Sequence, residues 1–311
     1  MKTKIVIVGL GGVGGYFGGL LAQRYVDDPE IEIYFVARGI HLKKIKEKGL
    51  TLITETETFQ VYPTLATDNV AEIGTADYII LTPKSYDLES TVAQIKPIVG
   101  INTVILPLLN GIDNSDRIRT LLQGIEVWQG CAYIVARLNE PGVVESSGGV
   151  HRFNFGYEYK QTNDRLTEFE MILKNARIDA IFHENIMHVI WTKFFFISST
   201  ASLTSYFNVS FGALLTDESR KATLVRMLEE LILIANAEDA EIQRSVIDNV
   251  IHQLEKLPFE TTSSMHSDFK IGKMTEVHGL TGIVVKLGKK HGIATPTYEK
   301  VYNELCKQLK I

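Results

Sequence analysis

Short apolar runs alternate with amphipathic stretches along the first third of the chain. The apolar runs at residues 5–8, 31–36, 76–82 and 103–109 predict buried strands. Helical patterns lie between them, at residues 14–25, 41–48 and 88–99. Continuous apolar runs are typical of strands that are covered on both faces of a parallel sheet. The alternation therefore predicts a doubly wound α/β domain.

The pattern changes after about residue 125. Residues 128–135, 142–146 and 151–156 have the character of further strands, which we expect to extend the same sheet in antiparallel fashion. From about residue 184 onward the pattern is helical, at 216–240, 246–257, 275–291 and 298–309. We therefore predict an α/β domain at residues 1–183 and an all-helical domain at residues 184–311.

Composition excludes several classes of protein. The 311 residues are 45% hydrophobic and 22% charged, with a net charge of −5. These values are ordinary for a globular protein and do not fit a nucleic-acid-binding surface. Cys131 and Cys306 are too few for a disulfide framework or a zinc cluster. We expect free thiols in a reducing cytoplasm, and no metal.

Two apolar stretches resemble export or membrane signals only weakly. Seven of the eleven residues from 9 to 19 are glycine, so the N-terminal region makes a poor signal helix and a better strand and turn. Residues 189–198 are too few to cross a bilayer, and they include Lys193. We expect a cytoplasmic protein that binds neither membrane nor nucleic acid, for which the sequence allows a homodimer.

A glycine-rich turn follows the first predicted strand. It reads Gly9-Leu10-Gly11-Gly12-Val13-Gly14, a G-x-G-x-x-G pattern between a buried strand and a helix. Gly9 permits the tight turn, Gly11 lets the backbone approach a pyrophosphate, and Gly14 lets helix and strand pack closely. The context predicts a Rossmann-type dinucleotide site, and the alternative is a tight turn with no ligand.

The end of the second strand indicates which dinucleotide binds. An NAD site carries Asp or Glu there, but this strand ends in Arg38. A guanidinium can pair with a 2′-phosphate and stack on adenine. His41, Lys43 and Lys44 count as further positive charge nearby. We predict NADP(H), and the alternative for Arg38 is a solvated surface arginine.

Lys193 is the candidate proton donor. A reductase of a ketone needs a hydride donor and an acid for the developing alkoxide. Lys193 lies in the run Trp191-Thr192-Lys193-Phe194-Phe195-Phe196, which is a poor surface setting for a lysine. From these residues alone, a lysine that extends its charged end to water stays an alternative.

Taken together, these motifs resemble the ketopantoate reductase (2-dehydropantoate 2-reductase) family over nearly the whole chain. The resemblance adds several segments to the glycine turn and Arg38. They are Thr82-Pro83-Lys84, Asn110-Gly111, Trp191-x-Lys193, Ser263-Ser264-Met265, Thr275-Glu276 and His291-Gly292-Ile293-Ala294-x-Pro296. The lysine and glutamate motifs are more specific than the glycines, which other two-domain dehydrogenases share.

The resemblance implies a role for each matched position. Lys193 corresponds to the catalytic lysine that gives a proton to the substrate carbonyl oxygen. Glu276 corresponds to a glutamate that supports the catalytic hydrogen bonds, and it borders the cofactor. Ser264 corresponds to the serine that holds the substrate carboxylate. Asn110 corresponds to an asparagine near the nicotinamide and the substrate, and Lys84 to a lysine at the cofactor rim.

The chain departs from the family at three positions. The family usually has asparagines four and eight residues after the catalytic lysine, on the same helix face. Here those positions are Ile197 and Ala201, and Thr281 replaces another asparagine after the glutamate. Thr200 shares the face of Lys193 and is expected to bind substrate in part.

Three functions follow as hypotheses. The first is reduction of 2-dehydropantoate to (R)-pantoate by NADPH, on the way to pantothenate and coenzyme A. The second is reduction of a different 2-oxo acid, because a more apolar pocket would discriminate differently. The third is an NADP-binding sensor without turnover, which the presence of Lys193 and Glu276 disfavours.

Overall fold

The structure is a computed structural model in which residues 2–157 and 163–310 are described. It contains two compact units. The first comprises Met1–Leu109 and Asp113–Ile186, and the second comprises Asn110–Ile112 and Met187–Ile311. The short segment 110–112 is thus grouped with the helical unit although it follows a strand of the first.

The first unit is built on a parallel sheet. Its strands are β1 Thr3–Val8, β2 Ile31–Val36, β3 Leu50–Ile53, β4 Thr58–Val61, β5 Leu65–Thr67, β6 Ala76–Leu81, β7 Val99–Pro107, β8 Glu126–Val127, β9 Gln129–Tyr133, β10 Ala136–Glu140, β11 Val143–Ser146, β12 Arg152–Gly156 and β13 Asp179–His183. The order β5-β2-β1-β6-β7-β8 forms the main sheet, in which every neighbouring pair is parallel.

Both faces of the main sheet are covered. Along β1, Ile5 and Ile7 belong to one buried cluster, and Val6 and Val8 belong to another. Alternate residues of a strand point to opposite faces, so a strand that is buried on both faces is apolar throughout. This confirms the predicted α/β class. It also confirms that the apolar runs are unbroken because the strands are buried on both faces.

The later strands depart from the expectation that they extend this sheet. Only β8 joins it, and it does so in parallel. The strand predicted at 142–146 is β11, which joins a four-stranded sheet of order β10-β11-β3-β4. Those predicted at 128–135 and 151–156 are β9 and β12, in a three-stranded sheet of order β13-β12-β9. The single-sheet expectation is therefore wrong. β9 and β12 pair with each other, and their further partners and those of β11 are β3, β10 and β13, which the apolar pattern did not identify as strands.

The helices of the first unit are α1 Gly12–Arg24, α2 Gly39–Lys48, α3 Leu88–Ile95, α4 Asn114–Leu121 and α5 Asp164–Asn175. Those of the second are α6 Ile186–Phe207, whose first residue is in the first unit, α7 Phe211–Thr216, α8 Glu218–Ala237, α9 Val246–Glu255, α10 Ser264–Lys270, α11 Ile283–His291 and α12 Pro296–Leu309. The helical character predicted for this half of the chain is confirmed.

Two predicted helices of the second unit differ in detail from the structure. The stretch 216–240 corresponds to α8, which begins after Asp217, whose carboxylate accepts the N–H of Arg220 to cap the helix. The stretch 275–291 holds a π-helical turn, His278–Gly282, before α11 begins. Single π turns within helices occur frequently at functional sites.

Among the described residues, α6 is the helix long and apolar enough to cross a membrane. It has 22 residues, so the argument that residues 189–198 are too short does not hold for the whole helix. Yet 61% of its most apolar window is buried inside the protein. Its apolar character is that of a core helix in the second unit.

Candidate active site

The glycine turn has the geometry that a pyrophosphate requires. Gly9 has φ +93°, a left-handed conformation that disfavours other residues. A Cβ on Gly14 would lie 2.0 Å from the carbonyl oxygen of Gly9, so α1 packs tightly on the turn. A Cβ on Gly11 would meet nothing within 4 Å. The backbone at Gly11 is therefore open to a ligand at the N-terminus of a 13-residue helix, whose first N–H groups lack intrahelical partners.

Thr82 fastens this turn to the sheet. Its hydroxyl lies against the carbonyl oxygens of Val8, at 3.1 Å, and Gly9, at 2.5 Å. Its backbone N–H also donates to Val8, at 2.9 Å. Thr82 stands directly after β6, which pairs with β1. From the sequence, Thr82 is recognisable only through the family resemblance, and its role in the turn depends on this contact between β6 and β1.

A neighbouring strand closes over the start of α1. A Cβ on Gly12 would lie 2.1 Å from the carbonyl oxygen of Ala136, the first residue of β10. Gly12 occupies a variable position of the G-x-G-x-x-G pattern, so the motif itself does not account for it. The approach of β10 requires a glycine there, whatever the turn binds.

Arg38 is placed at the end of β2 with its side chain 85% exposed. A carboxylate oxygen of Asp87 lies 3.6 Å from its guanidinium. The sequence analysis found no acid at this strand end, because Asp87 is distant along the chain and arrives through the 3₁₀ turn Ser85–Asp87. Lys84 is half-buried and directly precedes that turn. Both a cation and an anion are thus available beside the end of β2.

His41 does not add positive charge to this region, which corrects the sequence analysis. Its Nε2 lies 2.8 Å from the carbonyl oxygen of Leu10, and its Nδ1 lies 2.9 Å from the N–H of Gly142. A carbonyl only accepts and an amide only donates, so the ring is the neutral Nε2–H tautomer. Burial lowers the pKa of His41, in agreement with that assignment. The positive groups on α2 are Lys43 and Lys44, each paired with Glu47, and Lys46 and Lys48 in its last turn.

In the second unit, Lys193 and Asn110 are in direct contact. Lys193 lies in the second turn of α6 and is half-buried. Its ammonium donates to Oδ1 of Asn110, at 2.9 Å. This bond orients the ammonium relative to Asn110. Two residues 83 positions apart, each assigned to the site by resemblance, are thereby brought together.

A series of buried hydroxyls follows Lys193 on α6, and we call it the hydroxyl ladder. Its members are Ser198, Ser199, Thr200, Ser202, Thr204 and Ser205, each no more than 1% exposed. Ser198 donates to the carbonyl of Leu280 and bonds the hydroxyl of Tyr298, at 2.7 and 2.9 Å. Ser202 bonds the hydroxyl of Thr281, at 2.7 Å.

The ladder also reaches the segment that precedes Ser264. Thr204 bonds the hydroxyl of Ser263 at 2.9 Å, and Ser263 caps α10 by accepting the N–H of His266. The helix that carries Lys193 is therefore joined by side-chain hydrogen bonds to the π turn and to the start of α10. The sequence analysis missed this network, although the density of Ser and Thr within an apolar helix was a visible signal.

Glu276 and Ser264 occupy contrasting environments. Glu276 is 4% exposed, and its carbonyl accepts the N–H of Leu280 just before the π turn. A carboxylate this deeply buried requires polar partners to be stable. Ser264 is exposed at the first residue of α10. The structure thus places Glu276 in the interior of the second unit and Ser264 at its surface.

The positions where the family usually has asparagine provide no amide here. Ile197 is half-buried and Ala201 is 3% exposed. Thr200, expected to compensate in part, donates its hydroxyl to the carbonyl of Phe196 at 2.6 Å. Because the hydroxyl proton of Thr200 is used in this bond within α6, the hydroxyl can only accept a hydrogen bond from a substrate.

His266 is a buried neutral group near the start of α10. Its Nε2 lies 2.9 Å from Oδ1 of Asn208, and its Nδ1 lies 2.6 Å from the hydroxyl of Thr262. Burial, followed by the charge of Lys270, lowers the pKa of His266. The neutral ring links the end of α6 to α10. In residues 2–157 and 163–310, no cluster of three His, Cys, Asp or Glu side chains is placed to hold a metal ion.

Comparison with known proteins gives two family matches. Residues 5–158 match the model described as ketopantoate reductase PanE/ApbA, and residues 185–308 match its C-terminal counterpart. A crystal structure of 2-dehydropantoate 2-reductase from Porphyromonas gingivalis W83 is 36% identical. It has a TM-score of 0.86 and covers 98% of this chain and 99% of its own.

Two further proteins widen the comparison. The uncharacterized oxidoreductase YkpB of Bacillus subtilis is 26% identical over 97% of each chain. D-mandelate dehydrogenase, solved with NADH and anilino(oxo)acetate, has a TM-score of 0.87 over 99% of each chain. At 23% identity it shares the fold alone. Both family models together span most of the sequence, so the chain belongs to the ketopantoate reductase PanE/ApbA family of NAD(P)H-dependent 2-oxo acid reductases.

Proposed function

We propose that this protein reduces 2-dehydropantoate (ketopantoate) to (R)-pantoate with NADPH, a step toward pantothenate and coenzyme A. The observation that carries the proposal is the hydrogen bond from Lys193 to Asn110 in a chain of this family. It holds the ammonium in a fixed orientation, from which it can donate to a substrate oxygen.

Lys193 acts as the general acid in this proposal. When bound, NADPH supplies the hydride for C2 of the 2-oxo acid. As charge grows on the carbonyl oxygen, the Lys193 ammonium stabilises it and transfers a proton from Nζ. Asn110 orients the ammonium through Oδ1. Ser264 binds the substrate carboxylate, and Glu276 supports the hydrogen bonds of the site.

The first unit binds the cofactor. The turn from Gly9 to Gly14 receives the pyrophosphate at the N-terminus of α1, which the open backbone at Gly11 supports. Arg38 pairs with the 2′-phosphate, and Lys84 borders the cofactor. The lysines of α2 add to the positive potential around Arg38.

A second candidate is the reduction of a different 2-oxo acid. Ile197 and Ala201 put alkyl groups one and two turns beyond Lys193, and Thr200 has no proton to give. Such a helix face favours an apolar substrate side chain over a hydroxylated one. D-mandelate dehydrogenase, which has the same fold, was solved with anilino(oxo)acetate, an acid with an aromatic substituent.

The experiment is steady-state oxidation of NADPH with ketopantoate, beside NADH and a panel of branched and aromatic 2-oxo acids. We expect a kcat/KM for ketopantoate of about 10⁴ M⁻¹s⁻¹ or more. A better rival acid would establish the second candidate. Tight NADPH binding without turnover of any acid would instead favour a sensor.

The setting proposed is the cytoplasm. Cys131 is buried and Cys306 half-buried, and neither is in a disulfide. Free thiols are usual in reducing compartments. The homodimer that the sequence allows stays a prediction. Sedimentation equilibrium would test it.

A further inference from the structure

His41 connects two elements that meet at the cofactor turn. It lies in the first turn of α2, and its ring joins Leu10, within the glycine turn, to Gly142, in the connection between β10 and β11. These partners are 31 and 101 residues away along the chain. The imidazole is therefore the link between the turn and the hairpin formed by β10 and β11.

The same hairpin approaches the turn at a second point. Its first residue, Ala136, stands directly over Gly12, where a Cβ would not fit. Thr82 holds the other side of the turn through Val8 and Gly9. The conformation of the turn is thus set by the sheet on one side and by the hairpin, through His41, on the other.

The link requires a neutral ring. Protonation would place an N–H on Nδ1 against the N–H of Gly142, so two donors would face each other and the bond would be lost. Position 41 is also in the first turn of α2, where the helix dipole disfavours a cation.

The charged groups around His41 do not oppose this requirement. Its own helix contributes Lys43, Lys44, Lys46, Glu47 and Lys48, and Arg38 precedes the helix. The glycine turn contributes no charged side chain, and the hairpin contributes the exposed Glu140 and the ion pair of Arg137 with Glu145. Lys43 and Lys44 share Glu47 as a partner, so the excess of positive charge near the ring disfavours an imidazolium.

We propose that His41 is a positioning residue that keeps the glycine turn in its cofactor-binding conformation only while the ring is neutral, so that cofactor affinity falls as the medium becomes acidic. This inference rests on the proposed cofactor role of the turn. It differs from a direct role of His41 as a cation that attracts phosphate, which would make affinity rise on acidification.

Two variants separate these roles. His41→Gln keeps a donor and an acceptor on a planar amide that does not titrate, and His41→Leu removes both. Dissociation constants for NADPH and NADH are measured by fluorescence from pH 8 to 5.5. Because the 2′-phosphate of NADPH itself titrates near pH 6, the quantity compared is the ratio of wild type to His41→Gln at each pH.

At pH 8 we expect His41→Gln to bind like the wild type and His41→Leu to bind about five- to hundredfold more weakly, the effect of two lost hydrogen bonds. Below pH 6.5 the wild type should weaken by about three- to tenfold relative to His41→Gln, with both cofactors, because protonation removes only the bond to Gly142. Thermal unfolding of each variant checks that the fold is intact, and if His41→Leu fails to fold, the pH ratio alone decides.

Parallel pH curves for the wild type and His41→Gln would overturn this inference alone. A wild-type affinity that rises on acidification relative to His41→Gln would overturn it in favour of direct phosphate contact. A wild-type protein that binds neither cofactor would overturn the proposed function as well, so the two failures are distinguishable.

Discussion

Lys193 is the residue on which the proposed chemistry depends most. Replacing it with alanine removes the acid and leaves Asn110 without its donor. We expect kcat to fall by roughly 10²–10⁴, the usual effect of losing a general acid, with cofactor affinity unchanged. Steady-state kinetics and a fluorescence titration of NADPH measure the two quantities.

The matched control is Lys286→Ala, which removes an exposed lysine of the same unit. It should leave kcat unchanged. A Lys193→Ala enzyme with near wild-type kcat would remove Lys193 from the mechanism.

Asp87 is expected to limit the preference for NADPH. Its carboxylate is 3.6 Å from the guanidinium of Arg38, so it competes with a 2′-phosphate for the same cation and repels it. Exposed ion pairs contribute up to about 1 kcal/mol. Asp87→Asn should therefore raise the ratio of kcat/KM for NADPH to that for NADH by about two- to fivefold.

Glu89→Gln is the control for this change, because Glu89 is a nearby carboxylate that pairs with Arg117 rather than Arg38. It should leave the cofactor ratio as in the wild type. An unchanged ratio in Asp87→Asn would mean that the carboxylate does not act on the cofactor.

Between α6 and the π turn, the pair Ser202 and Thr281 can be tested by a double-mutant cycle. Both side chains are fully buried and bond each other at 2.7 Å. Ser202→Ala or Thr281→Val alone leaves one buried hydroxyl without this partner, so each should cost about 1–3 kcal/mol in the free energy of unfolding. The double variant should lose less than the sum of the two singles. Chemical denaturation measures all three.

Ser219→Ala, at an exposed position of α8, serves as the control and should be neutral. Strict additivity of the two buried substitutions would show that the hydroxyls do not act as a pair.

The elements that sequence reasoning identified share one property. β1, β2 and β6 are buried on both faces, so their apolar runs are continuous and need no knowledge of partners. By contrast, β4 and β10 are mostly exposed, at Thr58–Val61 and Ala136–Glu140, and carry no such run. Their pairing with β3 and β11 depends on contacts distant along the chain.

The site shows the same limit. The glycines, Arg38 and Lys193 can be recognised from the residues next to them in the sequence. Asp87 and the orientation of the His41 ring do not, because each depends on a partner far along the chain. The charge of His41 follows from which ring nitrogen donates a hydrogen bond and which accepts one. These partners are known only from the structure.

For the protein as a whole, the half-buried His41 and His183 and the buried His266 predict how stability depends on pH. Burial lowers the pKa of His41, His183 and His266. Between the folded pKa of each ring and its unfolded value of about 6.5, the unfolded chain binds more protons than the folded one. This part of the stability is therefore complete above pH 6.5 and is lost as the pH falls below it.

We expect Tm to decrease from pH 7 to pH 5.5, with about 1.4 kcal/mol lost for each unit of pKa shift. His41→Gln should make the decrease shallower, since its amide does not titrate. His252→Gln, at an exposed position, should reproduce the wild-type slope. Identical slopes in all three proteins would assign the acid sensitivity to other groups.

The strand that crosses Gly12 has a consequence for redesign. A library that kept the three motif glycines and varied the residues between them would fail at position 12 in this protein, since any side chain there collides with the backbone of Ala136. The positions to vary are instead Arg38 and Asp87, because their side chains are exposed and their substitution leaves the packing of the turn intact.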